Sequence, residues 1–218
     1  MGGYMSKIRL LTIACFALVI TCSNGFAQQI PPESLDKLQD TFSLLRDNLW
    51  EQNDNFWHRG EYKRCIAMCR LITQIDPHEV EAYDDAAWLM QNDFKDDEAE
   101  IFLLEGLKNN RDRYDLYFDL GYFCYMHERF DEAVNYLEEA SYFDPPAFAK
   151  HLLAHAYELA GRYDDAFSIW IEAEALDPSD QVPSNQITRM MNGGPASNLP
   201  HDAARWRKER KASEMNSH

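Results

Sequence analysis

The chain repeats itself about every 34 residues, and a chain that does so folds by stacking one small unit on the next. Small residues recur at Cys65, Ala99, Ala133 and Ala166, at spacings of 34, 34 and 33. Bulkier ones follow four positions later, at Cys69, Leu103, Leu137 and Trp170. Asp-Pro recurs at Asp76-Pro77, Asp144-Pro145 and Asp177-Pro178; the first gap is 68 residues, twice the period, and the second is 33. Gly60-Glu61-Tyr62 and Gly161-Arg162-Tyr163 hold equivalent places, with Glu128-Arg129-Phe130 between them. A residue before proline is pushed out of the α region, so each Asp-Pro closes a helix. Small residues at Ala87, Gly121 and Ala154, and at the four-fold series above, let paired helices approach, and the large ones fill the gap. No single pair buries its own apolar face. The pattern therefore predicts an all-α solenoid of four two-helix units, 46–79, 80–113, 114–146 and 147–180.

These residues resemble the tetratricopeptide repeat, whose pattern is W-x2-L-G-x2-Y, then A-x3-F, then P. The fourth unit carries it most fully, with Leu153, Ala154, Tyr157, Gly161, Tyr163, Ala166, Trp170, Ala173 and Pro178 in place. The third has Tyr117, Leu120, Gly121, Phe130, Ala133, Leu137, Ala140 and Pro145. Two departures stand out: polar Gln52 and Asn53 occupy the Leu-Gly position of the first unit, and Arg111 stands where the second should close on proline. The resemblance implies a concave groove lined by the first helix of each repeat, where members of the family bind extended or helical peptides.

Turning 100° per residue away from core positions Leu49 and Phe56 places Trp50, Asp54, Trp57 and His58 on the groove side of the first unit. The equivalent faces carry Asp84, Asp85, Trp88 and Gln91, then Phe118, Asp119, Tyr122 and Tyr125, then His151, His155 and Glu158. This is an aromatic stripe edged with carboxylates. Such rings serve either as binding anchors or as core between repeats, since they bury large area at little rotamer cost. One subtype of the family clamps acidic C-terminal peptides with Lys and Asn. The matching positions here hold Trp50, Asp54, Asp84 and Trp88, so that clamp is missing and a partner segment with basic and aromatic residues is implied instead.

Charge points the same way. There are 21 Lys and Arg against 37 Asp and Glu, a net charge of −16. Residues 46–180 hold 12 basic and 31 acidic side chains, a net −19. A nucleic-acid backbone would be repelled. Apolar residues at 45% allow a packed core, nine Gly and nine Pro exclude collagen-like and low-complexity classes, and five Cys are too few for a disulfide scaffold.

The ends read differently. Lys7 and Arg9 precede an apolar run over 10–20, and Gly25-Phe26-Ala27 offers a cut after Ala27: a signal peptide over 1–27, with export to a periplasmic or extracellular space. The alternative is a lipoprotein anchored at Cys22, the one route to a membrane, although Thr21 departs from the small residue that modification wants before the Cys. Removing 1–27 takes away two positive charges and leaves −18. Residues 28–45 form a leader and helix, with Leu35, Leu38, Phe42, Leu45 and Leu49 at 3-4 spacing, either capping the solenoid or pairing two chains. After Pro178, a helix over 181–192 capped by Ser184 is expected to cover the last repeat. Gly193-Gly194-Pro195 then breaks the chain, and 193–218 is a flexible tail with Arg205, Trp206, Arg207, Lys208, Arg210 and Lys211.

No phosphate loop, nucleophile elbow or paired metal-thiolate motif is present, and no cofactor is expected. His151, His155 and Glu158 share a helical face with metal-ligand spacing, which makes a metal- or small-ligand-binding protein the alternative to a scaffold. Cys65 and Cys69, one helical turn apart, cannot pair without strain; each is a buried small residue or a partner for Cys124. The expectation is a non-catalytic, exported adaptor that takes a protein segment in its groove, with a self-assembling scaffold as a further alternative.

Overall fold

The computed structural model describes residues 31–196. The signal segment with its cut after Ala27, the lipidation candidate Cys22 and the tail from 197 to 218 lie outside the described residues. Among the described residues there are helices α1 (Pro32–His58), α2 (Tyr62–Ile75), α3 (Val80–Asn92), α4 (Asp96–Asn109), α5 (Asp115–Met126), α6 (Phe130–Ser141), α7 (Ala147–Leu159), α8 (Tyr163–Leu176) and α9 (Gln181–Met191), and no strand. The described residues divide into two compact units, with the boundary between Leu45 and Arg46. In the first, the part of α1 that precedes Arg46 leaves Leu35, Leu38, Phe42 and Leu45 about half exposed.

The second unit is an all-α solenoid. Each helix from α2 to α9 packs on the next, so neighbours in sequence are neighbours in space. The repeat-defining residues form the seams: Cys65, Ala99, Ala133 and Ala166 are completely buried, and Cys69, Leu103, Leu137 and Trp170 pack beside them. Gly121 shows why these sites are small. A methyl group added there would lie 2.5 Å from Leu137 Cγ, well inside van der Waals contact. Gly106 is equally constrained, with Tyr83 Cγ 2.7 Å from where a Cβ would stand.

The Asp-Pro turns end helices as the local sterics require. Asp76 and Asp177 cap α2 and α8 in extended conformation, and each carboxylate accepts a bond from the amide two residues on, His78 and Ser179, both at 3.0 Å. Asp144 turns the chain with φ of 50°. The second repeat, which lacks the proline, ends differently. Asn110 is buried and its side-chain amide donates to the carbonyls of Pro77 (2.9 Å) and Gly106 (3.0 Å), while His78 Nδ1 sits 3.2 Å from its oxygen. One asparagine thus ties the end of α4 to the turn between α2 and α3.

At the C-terminal end, α9 packs on α8 and starts at Gln181, capped by Asp180 through a 2.8 Å bond from the Val182 amide. This corrects the expected Ser184 cap: Ser184 lies within the helix, and its hydroxyl donates to the Gln181 carbonyl. Cys65, Cys69 and Cys124 are free buried thiols, so no bridge joins Cys124 to either partner.

Candidate functional site

The first helices of successive repeats touch one another, α3 with α5 and α5 with α7, whereas the second helices make no comparable contact among the described residues. The layer whose helices touch is the shorter arc, so the solenoid curves toward the face of α1 (from Arg46), α3, α5 and α7. That concave face is the candidate site.

Aromatic rings bridge the helices along it. Trp57 of α1 and Trp88 of α3 are 5.8 Å apart between centroids, and Tyr62 at the start of α2 packs edge-on against Trp57 at 5.5 Å. All three stay exposed, Trp88 by 50%. A cavity of about 670 Å³ opens beside them, between the start of α2 and the end of α3, with Tyr62, Ile66, Trp88 and Leu89 as its apolar walls. Further along, Phe118 of α5 meets Phe148 of α7 edge-on at 5.5 Å, with Tyr122 exposed one turn away.

Between the two aromatic groups lies a field of carboxylates. Asp84 is open to water yet walled by the concave surface; that burial, with Glu81 and Asp115 nearby, raises its pKa above the usual carboxylate range. Burial beside Asp84 and Asp115 pushes Asp119 well upward. Asp85 rises to about 6, from burial first and then Asp84 and Glu81. The charges that act on these groups are other carboxylates. Such a surface favours a cation brought to it from outside.

The expected site residues divide. Asp54, Trp57, Asp84, Trp88 and Tyr122 are exposed on the concave side. Trp50 and Phe118 are half-buried, packed against the core. Tyr125 is a core residue, 5% exposed and edge-on to Phe130, so it offers a partner nothing. Glu158 is also buried. Arg189 of α9 reaches across to it, binding Oε1 and, at 2.6 Å, Oε2, while Trp170 Nε1 donates to Oε1 at 3.2 Å. His151 faces Asp180 at 3.1 Å, and His155 sits edge-on to Trp170 at 4.9 Å, where burial lowers its pKa. With its carboxylate held by Arg189 and Trp170, Glu158 cannot complete a metal site with the two histidines, and no metal-binding group of three is found among the described residues. This corrects the metal-ligand reading.

Two contributors, Phe148 and Asp115, are absent from the faces expected from sequence. Phe148 lies three residues before His151 and Asp115 four before Asp119, so the same helical spacing would have found both. No helix among the described residues is long and apolar enough to cross a membrane.

No family model and no curated protein matches the sequence. Solved structures do match in shape. The crystal structure of MamA aligns with a TM-score of 0.56 at 18% identity, over 74% of this chain and 96% of that one. A MamA fragment from Desulfovibrio magneticus RS-1 gives 0.56 at 16%, over 78% and 93%. PilF of Pseudomonas aeruginosa gives 0.59 at 16%, over 79% and 78%. At such identities the likeness speaks for the fold, and it agrees with the 34-residue period and the touching first helices. This chain has the fold of an all-α solenoid of helical repeats, the fold that its tetratricopeptide-like sequence pattern implies.

Proposed function

We propose that this chain is a non-catalytic scaffold that holds a segment of a partner protein, basic and aromatic in character, on the concave face of its repeats. The observation that carries this reading is the alternation on that face: exposed Trp57 and Trp88, then Asp84 and Asp119, then Phe118 and Phe148. Rings bury area on contact, and the carboxylates align Lys or Arg of the partner. The fold shared with MamA and PilF is in keeping with a protein-binding role. Export into the cell envelope belongs to the same proposal, on the strength of Lys7, Arg9 and the apolar run over 10–20.

The test is binding of synthetic peptides rich in Arg, Lys and Trp, followed by fluorescence anisotropy. Trp57→Ala and Trp88→Ala are each expected to weaken binding about 10- to 100-fold while circular dichroism stays unchanged, because both side chains are exposed. Unchanged binding in the double variant would remove the concave face from consideration.

A further inference from the structure

The occupant of this face can be sought within the chain itself. The path of the backbone after α9 is fixed in detail. Gly193 adopts φ of 67°, a left-handed conformation that suits glycine. The Gly193 amide donates to Met190 O at 3.0 Å and the Gly194 amide to Arg189 O at 2.9 Å, the paired bonds that close a helix C-terminus. A side chain at Gly194 would collide with Arg189, its Cβ only 2.7 Å from Cγ. The Arg189 guanidinium then donates to the carbonyls of Gly194 (3.1 Å) and Pro195 (2.7 Å) while the same group grips Glu158 of α7. So the chain does not run on past α9. It is bent back and fastened beside an inner-layer helix.

The C-terminal segment has the opposite charge to the repeats. Residues 200–218 carry five basic side chains, Arg205, Arg207, Lys208, Arg210 and Lys211, against three acidic ones, with Trp206 among them. The repeats carry a net −19, and Asp84 and Asp119 lie between α3 and α5 with other carboxylates as their charged neighbours, while Asp115 beside them is already paired with Arg113 at 2.7 Å. Packed helices lie about 8–10 Å apart, so α3 is roughly 20 Å from α7. The eight residues 197–204 can span about 26 Å when extended. The basic segment is therefore within reach of the carboxylate field.

We propose that residues 205–211 occupy the concave face of their own chain, with the basic side chains on Asp84 and Asp119 and Trp206 among the exposed rings, and so compete with any outside partner. This rests on the concave face being a peptide-binding surface, and deepens that reading by naming its resident ligand. A short tether gives an effective concentration on the order of millimolar. A segment that binds on its own at roughly 100 µM would then hold an outside competitor back about tenfold.

The experiment uses a fluorescein-labelled peptide with the sequence of residues 200–214, titrated into the full chain. A second full chain carries Arg205→Ala, Arg207→Ala, Lys208→Ala, Arg210→Ala and Lys211→Ala. A third adds Asp84→Asn and Asp119→Asn, with folding checked by circular dichroism. Expected is about tenfold tighter binding to the second chain than to the first, loss of that binding in the third, and a monomer throughout by light scattering. Equal affinity for the first two chains, or no binding to the second, overturns the proposal. So does a dimer formed by the first chain and lost in the second, which would put the segment in a neighbouring molecule. Peptides of unrelated sequence rich in Arg and Trp separate the two failures: if they bind the second chain through Trp88 and the 200–214 peptide does not, the concave face stands and the internal ligand falls.

Discussion

Asp85 illustrates how a single carboxyl group reports on the surface around it. It sits on α3 next to Asp84, with Glu81 one turn before it and the Cys69 thiol of α2 close enough to be pushed upward by its charge. Its pKa of about 6 in the folded chain lies above the unfolded value near 3.9. A group raised on folding contributes its stability fully below the unfolded pKa and loses it as the pH climbs through the folded one. Ionisation between about pH 4 and 6 therefore costs the fold. Asp85→Asn keeps the shape and removes the charge. It is expected to raise Tm by about 2–4 °C at pH 7, the shift that goes with ~1 kcal/mol in a chain of this size, and to leave Tm at pH 4 unchanged. Differential scanning calorimetry at the two pH values checks it. Glu100 shows the opposite environment: Arg129 grips it through bonds of 2.6 and 2.9 Å and holds its pKa below the ordinary range.

Helix α9 is the element that decides which of the expected site residues stay accessible. Through Arg189 it takes Glu158 out of reach, and Asp180, which caps it, faces His151. Breaking a buried ion pair from one side leaves a stranded charge, typically at a cost of about 3–5 kcal/mol. Arg189→Met is expected to destabilise by about that amount, and Glu158→Gln added to it should recover most of the loss; urea denaturation of the two variants is the measurement. The helices themselves were legible because a 34-residue period and four-residue spacings are local facts of the sequence, as with Ala133 and Leu137. The Arg189–Glu158 pair was not, since its members are 31 residues apart and belong to no shared motif. The same holds for Asn110. Arg111 marked a missing proline, but nothing local indicated that the residue before it would bind the Pro77 carbonyl one repeat earlier. On the concave face, helical spacing located Trp57, Trp88 and Asp84. It placed Tyr125 there too, because spacing gives an angle around a helix and not the neighbour that covers it.

For the molecule as a whole, the charge is unevenly laid out: the repeats hold −19, and the stretches with a surplus of positive charge lie towards the two ends. Export would remove Lys7 and Arg9 with the rest of 1–27, so the working protein would carry −18. Intact-mass analysis of protein recovered from the envelope fraction is expected to find a chain beginning at Gln28; a chain that retains Met1, or one that begins at a lipid-modified Cys22, would contradict cleavage after Ala27. An oxidising destination would give new weight to three side chains of the repeat seams. Cys65, Cys69 and Cys124 are unpaired and fully shielded, with burial raising the Cys69 thiol to about 12 and Cys124 to about 11. Thiols so protonated and so enclosed react only when the seam opens. Once opened, they can be oxidised or mispaired faster than the repeats close again, and the return path is lost. In such a compartment the working lifetime of this protein would follow how often its seams open, a rate, and not its folding equilibrium.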